Sequence, residues 1–209
     1  MKEVLKLALA LGLTCLIAGS ILVYANAMTA DARDAATQRE KQNALAQILG
    51  TFANQPIDDT MTSDGVTFYL ARDAEGKVVR LAGEAASSQG FGGDLKVMVS
   101  LAPEGTLLNV LVTEHKETPG LGTNATDRKL TRSLWSLFAG DPGAATAGLP
   151  PNGYLDRFAG QAAAGFEAGR VDGISGATIS SRAVGDAVQR VCDAFSRNQA
   201  ALLNERSAS

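Results

Sequence analysis

Cysteine, histidine and aromatic residues are scarce in this chain of 209 residues, which contains two cysteines and one histidine. So few soft ligands exclude a cysteine-rich zinc or iron–sulfur site, and we assign no metal ligands. A basic excess is also missing, because 19 Lys and Arg residues face 22 Asp and Glu residues, a formal net charge of −3. This balance argues against nucleic acid as a partner. Aromatic residues make up only 5% of the chain, so much of the core must be aliphatic.

Charged residues are absent from one long stretch, Leu7 to Ala30. It is long enough to cross the roughly 30 Å hydrocarbon core of a membrane as a helix. Lys2 and Lys6 precede the stretch and favour a cytoplasmic N-terminus. The sequence therefore predicts a single-pass anchor, with the residues after about Met28 outside the cytoplasm. A cleaved signal peptide remains an alternative, because Ala25-Asn26-Ala27 has the form of a cleavage site.

Helical and loop segments follow the anchor and flank a run of predicted strands. Thr29 to Gly50 is rich in Ala, Gln, Glu and Lys and predicts a helix that continues from the anchor. Asn54 to Asp64 is polar, contains Pro56 and predicts a linker. Ser180 to Leu203 repeats apolar residues every three or four positions and predicts a long helix. The shorter predicted segments are an amphipathic helix at Thr131–Phe138, a loop at Asp141–Gly153 and an extended segment at Val171–Gly176.

Turn signals separate four segments of strand composition, which predict two hairpins. The predicted strands are Gly65–Ala71, Lys77–Ala82, Leu95–Leu101 and Leu107–Thr113. Gly90–Gly93 predicts a flexible loop. Hairpins followed by helices indicate an α+β fold with antiparallel strands and flanking helices. We therefore expect an N-terminus and anchor at residues 1–28, a juxtamembrane helix and linker at 29–64, and a globular domain at 65–209.

One segment, Asp172-Gly-Ile-Ser-Gly-Ala-Thr178, places small residues and hydroxyl groups immediately before the last predicted helix. Small residues let a ligand approach the backbone closely, and the free N–H groups of a helix start favour a phosphate. The residue types alone leave a second interpretation open. Serine and threonine at a helix start are usually N-caps.

The same segment resembles the flavinylation motif D-x-x-[S/T]-G-A-T of the FMN-binding domain family. The matching residues are Asp172, Ser175, Gly176, Ala177 and Thr178. The string E-T-P-G-L-G at Glu117–Gly122 is similar to the segment that packs around the flavin in this family, and Gly90–Gly93 is a partial third match. Together with one membrane helix and this length, the pattern resembles the G subunits of Rnf (Rsx) electron-transport complexes.

This resemblance implies a cofactor, FMN, attached covalently through its phosphate to the hydroxyl of Thr178 by a flavin transferase. It implies that Asp172 is recognised by that transferase. The remaining motif residues would surround the cofactor: Ser175, Gly176, Ala177, Glu117, Thr118 and Leu121. The residues at Pro119-Gly120 also fit an ordinary turn, which leaves the flavin contacts of this loop open.

The resemblance further implies an electron carrier that is not catalytic alone, so no catalytic residue is assigned. Electrons would pass to and from other membrane, iron–sulfur and flavin subunits of an Rnf-type complex, which couples electron transfer between ferredoxin and NAD to cation transport. The anchor would lie in the cell inner membrane, with the FMN domain on the extracytoplasmic (periplasmic) side. Two alternatives are the C subunit of a sodium-translocating NADH:quinone reductase, which shares both motifs, and an anchored extracytoplasmic binding module without cofactor.

The predicted topology can be tested with a reporter enzyme that is active only outside the cytoplasm. Fused after Ser209, the reporter should be active, because Lys2 and Lys6 keep the N-terminal end of the anchor in the cytoplasm. The same fusion lacking residues 7–28 should be inactive. An inactive full-length fusion would contradict the topology, and a mature N-terminus at Met28 would show that the anchor is a cleaved signal.

Overall fold

The computed structural model describes residues 2–128 and 149–204. It contains two compact units, residues 1–41 and residues 42–209. The helix predicted at 131–138 and most of the loop predicted at 141–153 lie outside the described residues. The predicted boundaries between anchor, juxtamembrane segment and domain stay predictions.

The first helix, α1 (Lys2–Leu49), includes the uncharged stretch as well as the helix predicted after it. Its N-terminal part has the length and apolar composition of a membrane span, with exposed large side chains such as Leu11, Leu16 and Ile21. The predicted continuation of the anchor into a helix is therefore confirmed. Gly50, in a left-handed conformation with φ of 74°, follows the last helical residue and explains why the helix ends there.

Five antiparallel strands form one sheet in simple chain order. They are β1 (Thr60–Ser63), β2 (Val66–Arg72), β3 (Val78–Gly90), β4 (Gly93–Leu101) and β5 (Leu107–Glu114). A short helix, α2 (Thr123–Thr126), two 3₁₀ turns (Leu155–Phe158 and Ala168–Arg170) and the long helix α3 (Thr178–Asn204) complete the described chain. The α+β prediction is confirmed.

Strand β1 corrects the linker predicted at Asn54–Asp64. It pairs with β2 through a two-residue turn, Asp64-Gly65, in which both residues have positive φ values of 53° and 75°. This is the backbone that suits the right-handed twist of a hairpin, and Asp-Gly is one of its favoured sequences. The polar composition of Thr60–Ser63 hid the strand, although the dipeptide that follows carried the signal.

Strand β3 is longer than predicted and continues from Ala82 to Gly90. Its second half is made of small residues, and α3 packs across it. A Cβ atom on Gly83 would lie 2.5 Å from Cγ1 of Val191, so the absence of a side chain lets the helix approach the sheet. Further along, Ser87 donates a hydrogen bond of 2.8 Å to Asp186. These contacts align α3 along β3, so that the start of the helix lies near the β3–β4 turn.

Both faces of the sheet are covered. On one face, α3 packs its apolar stripe, including Val184, Val188 and Phe195, against side chains such as Phe68 and Leu81. The opposite face is covered by the end of α1, whose side chains contact the sheet at alternate strand positions. This second cluster contains Leu45, Ile48, Leu49, Tyr69, Ala71, Ala82 and Met98. Successive side chains of a strand point to opposite faces of the sheet. Since both faces are covered here, β2 is buried at nearly every position and is apolar on both faces.

Three further sequence predictions are adjusted by the structure. Gly90 and Gly93 pair with each other across a tight turn, so this segment joins β3 to β4 directly and is not an extended loop. Val171–Gly176 forms no strand and instead makes bends and a turn. The last helix begins at Thr178, two residues earlier than predicted.

A buried arginine connects β2 to the segment before β1. Arg72 is 4% exposed, and its Nε lies 2.6 Å from Oδ2 of Asp59. The amide of Asn54 donates to the same carboxylate oxygen at 3.1 Å. The polar segment before β1 is therefore fixed to the sheet by a partly buried charge pair.

Replacing Asp59 should destabilise the domain strongly, because it leaves a buried guanidinium without this counter-ion. We expect Asp59→Asn to lower the free energy of unfolding of the full chain by about 3 kcal/mol, measured by urea denaturation. The neighbouring exposed carboxylate offers a matched control, and Asp58→Asn should change it by less than about 0.5 kcal/mol. Equal effects of the two variants would contradict this role of the pair.

Candidate functional site

The segment predicted to carry a ligand forms a turn fixed to the first turn of α3. The N–H of Ala177 donates to the carbonyl of Ile174 at 3.0 Å, and Gly176 takes the left-handed conformation at φ of 84°. The Ser181 hydroxyl accepts a hydrogen bond of 3.1 Å from the N–H of Ile174. Thr178, the first helical residue, is exposed, so its hydroxyl is accessible at the start of the helix.

The second predicted segment, His115–Gly122, follows β5 at the same end of the sheet. Lys96 of β4 pairs with Glu114 of β5, which brings this segment beside the β3–β4 turn. The N–H of Leu121 donates to the carbonyl of Thr118 at 3.2 Å, with Gly120 at φ of 80° between them. The ordinary turn at Pro119-Gly120 that the sequence left open is thus present, and Leu121 is exposed.

Glu117 joins the two segments and the β3–β4 turn. It is 6% exposed. Its Oε2 accepts a hydrogen bond of 2.7 Å from the hydroxyl of Ser180, which is 2% exposed, and its Oε1 accepts a longer one of 3.4 Å from the N–H of Gly92. One buried carboxylate therefore links three parts of the chain that are distant in sequence.

Two glycines make room for this carboxylate, and a third makes room for the backbone beside it. A Cβ atom on Gly122 would collide with Oε2 of Glu117 and would lie 2.8 Å from Oγ of Ser180. One on Gly90 would lie 2.7 Å from Oε1 of Glu117, and one on Gly92 would collide with the carbonyl oxygen of Lys116. Gly90 and Gly122 are therefore required for close packing around one side chain, a reason that is independent of turn conformation.

A groove of about 270 Å³ opens where these segments meet. We call it the Thr178 groove, and its lining residues are Phe91, Glu117, Thr118, Leu121, Gly122, Gly176, Ala177, Thr178, Ile179 and Ser180. Three apolar side chains on it remain exposed to solvent: Phe91 by 69%, Leu121 by 55% and Ile179 by 50%. Exposed apolar side chains clustered around a concave surface are typical of a binding site.

The structure brings together most, but not all, of the residues predicted for the site. Glu117, Thr118, Leu121, Gly176, Ala177 and Thr178 line the groove together. Ser175 is exposed at the tip of its turn and does not line the groove. Asp172 lines a second groove of about 440 Å³ that shares Thr178 and also contains Arg182.

Sequence reasoning did not assign Phe91, Ile179 or Ser180 as site residues. The glycine-rich match at 90–93 and the hydroxyl-rich helix start were the available signals for Phe91 and Ser180. The signal for Ser180 was weak, because a helix-start serine usually caps its own helix. Here its hydroxyl contacts a side chain 63 positions earlier in the chain.

Other titratable groups near the site have structural partners. His115 uses both ring nitrogens, since Nδ1 accepts a hydrogen bond of 3.2 Å from the N–H of Glu117 and Nε2 lies 2.7 Å from Asp127. Burial raises the pKa of the Cys192 thiol to about 12, so this cysteine is not a nucleophile at neutral pH. Among the residues that the structure describes, no cluster of His, Cys, Asp and Glu could hold a metal ion.

These features fit FMN better than they fit a simple helix cap. The apolar side chains around the groove suit a planar aromatic ring system. The N–H groups of Thr178 and Ile179 lie in the first turn of α3, where N–H groups have no acceptor within the helix, and such groups favour a phosphate. The exposed hydroxyl of Thr178 lies where these two environments meet.

Comparisons with known proteins agree with this site. The sequence model of the FMN-binding domain matches residues 90–193, which include every residue of the Thr178 groove. The G subunit of the ion-translocating oxidoreductase complex of Cereibacter sphaeroides is 32% identical, over 93% of this chain and 85% of its own. That of Stutzerimonas stutzeri is 31% identical over 96% and 84%, and that of Pseudomonas aeruginosa strain PAO1 29% over 99% and 95%.

The packing around Glu117 predicts that Gly122 cannot carry a side chain. Gly122→Ala should lower the free energy of unfolding by about 1–3 kcal/mol in urea denaturation, because the added methyl group displaces Glu117 or Ser180. At Gly153 the equivalent Cβ atom meets nothing within 4 Å. Gly153→Ala should therefore leave stability nearly unchanged, and a similar loss in both variants would contradict the packing argument.

Proposed function

The chain belongs to the family of G subunits of ion-translocating oxidoreductase complexes, and from this premise we propose that it carries electrons through FMN bound covalently to Thr178. It is a membrane-anchored FMN-binding subunit of such a complex. The observation that carries the finer proposal is the Thr178 groove. Two motifs separated by 49 residues meet there around one accessible hydroxyl.

The attachment site is the Oγ1 atom of Thr178, which would form a phosphoester with the FMN phosphate. Gly176 and Ala177 shape the turn before it, and the backbone N–H groups of the first helical turn face the phosphate. Ser175 and Asp172 lie outside the groove, on the exposed side of the same turn. Their place suits recognition by a flavin transferase, which must reach Thr178 from solvent.

The ring system would lie against the exposed apolar side chains of the groove, Phe91, Leu121 and Ile179. Burial of apolar surface contributes about 25 cal/mol for each Å², which would favour this position over free solvent. FMN supplies the redox chemistry when it is bound, and this chain supplies attachment, orientation and the local electrostatic environment. Thr118 and Glu117 form part of the groove wall.

Electron transfer by this subunit depends on partners. Because the similar proteins are subunits of an ion-translocating oxidoreductase complex, we propose that electrons enter from and leave to other membrane, iron–sulfur and flavin subunits of an Rnf-type complex. The assembled complex would couple electron transfer between ferredoxin and NAD to cation transport. The subunit is not expected to turn over a substrate alone.

We assign the FMN domain to the extracytoplasmic face of the inner membrane. The lysines before the anchor and the length of the uncharged stretch support this orientation. The similarity to G subunits favours this family over the C subunit of a sodium-translocating NADH:quinone reductase. The FMN-binding domain match argues against an anchored module without cofactor.

The attachment is tested by removing one oxygen atom from Thr178. Thr178→Val keeps the shape of the side chain and should abolish covalent flavin, because no nucleophilic oxygen remains. Wild type co-expressed with a flavin transferase should gain the mass of FMN minus water, about 438 Da by the chemistry of the phosphoester. Intact mass measures the added FMN, and in-gel fluorescence under denaturing conditions shows whether flavin is covalently bound in wild type and in the variant.

Two matched variants complete this test. Thr178→Ser keeps the hydroxyl and should retain some attachment, whereas Ser175→Ala removes a hydroxyl outside the groove and should have a milder effect. Because Thr178 is exposed, Thr178→Val should cost only about 1 kcal/mol of stability. Covalent flavin on a folded Val variant would place the attachment on another residue and overturn the proposal.

A further inference from the structure

A buried carboxylate forms part of the wall of the Thr178 groove. Glu117 is 6% exposed and is contacted by neutral donors, the hydroxyl of Ser180 and the backbone N–H of Gly92. Within residues 2–128 and 149–204, no lysine, arginine or histidine side chain forms an ion pair with it. Among the residues that the structure describes, the carboxylate is thus placed at the site with no opposite charge paired to it.

Glu117 is held through both of its carboxylate oxygens. Oε2 accepts the hydrogen bond from the Ser180 hydroxyl, and Oε1 accepts the one from the N–H of Gly92. Ser180 is the third residue of α3, so the carboxylate also lies at the positive end of the helix dipole. Gly90 and Gly122 pack so closely against the side chain that it has little room to turn away.

We propose that Glu117 holds a fixed negative charge beside the flavin and lowers its reduction potential, and that Ser180 positions this charge. The inference rests on the proposed function and deepens it. Reduction increases the electron density on the flavin, and a like charge close by in a poorly hydrated site opposes that increase. The electrons come from and return to the redox partners of the subunit, and Glu117 exchanges none.

Ser180 does more than fill space in this arrangement. Its O–H dipole points at Oε2 over 2.7 Å and offsets part of the carboxylate charge. Removing the Ser180 hydroxyl would make the site more negative, because less of the carboxylate charge is offset. Removing the carboxylate charge would make the site less negative. The two changes should therefore move the reduction potential in opposite directions, which a purely structural role would not do.

The test compares reduction potentials of the full chain in detergent, loaded with FMN by a co-expressed flavin transferase. Glu117→Gln keeps the shape and an acceptor for Ser180 but removes the charge. At a fixed electrode potential, it should raise the ratio of reduced to oxidised flavin about tenfold or more, because a unit charge within about 12 Å contributes at least that much at an effective dielectric constant of about 20. The shift should persist at about 1 M salt, because a buried charge is poorly screened.

Glu114 provides the matched control. It is an exposed carboxylate three residues earlier, and the hydrogen bond from Lys96 lowers its pKa, so it is also charged at neutral pH. Glu114→Gln should leave the ratio unchanged at high salt. An equal ratio in Glu117→Gln and Glu114→Gln, or a fall in Glu117→Gln, would overturn the proposal.

A second variant decides the question if Glu117→Gln does not load or fold. Ser180→Ala should lower the ratio of reduced to oxidised flavin, and Ser180→Thr should restore it because the hydroxyl is kept. A rise in Ser180→Ala, or loss of flavin from both the Glu117 and Ser180 variants, would make these residues purely structural and refute the inference. Wild-type chain without covalent flavin would instead refute the proposed function.

Discussion

The hydrogen bond from Ser180 to Glu117 is the contact on which the site depends. It joins the first turn of the last helix to a loop 63 residues earlier, and through Gly92 it reaches the β3–β4 turn. A hydrogen bond to a charged group contributes about 1.5–3 kcal/mol to stability. Removing one partner also costs the desolvation free energy of the other, which then stays buried without a hydrogen bond. This contact directly fixes the position of the groove wall that the loop forms relative to Thr178.

The sheet sets where this contact forms. The β3–β4 turn and the end of β5 lie at the same edge because the strands are neighbours and antiparallel. Gly83 lets α3 lie close to β3, and the contacts of Val191 and Asp186 along that strand direct the start of the helix to the same edge. The two motifs meet because of the register of one helix on one strand, and the small residues of β3 permit that packing.

Local pattern was enough to predict much of this fold but not its closest contacts. The four strands, the membrane helix and the last helix follow from composition and periodicity. Strand β1 was missed because four polar residues carry almost no strand signal, and the second half of β3 because the small residues that allow helix packing there are weak strand formers. The motif resemblance predicted which residues meet at Thr178. It could not predict that Glu117 faces Ser180 or that Ser175 lies outside the groove, because these depend on packing between distant segments.

The order of the elements along the chain has a consequence for synthesis. Strands β1 to β5 pair with their neighbours in sequence, so the sheet can assemble while the chain is still emerging. The helix that covers one of its faces begins only at Thr178, so that face stays bare until the residues of α3 have been made. The groove acquires Thr178 and Ser180 in the same step. Maturation by a modifying enzyme that needs this groove would therefore act only on chains that include α3, and chains terminated before it would be left unlabelled and aggregation-prone.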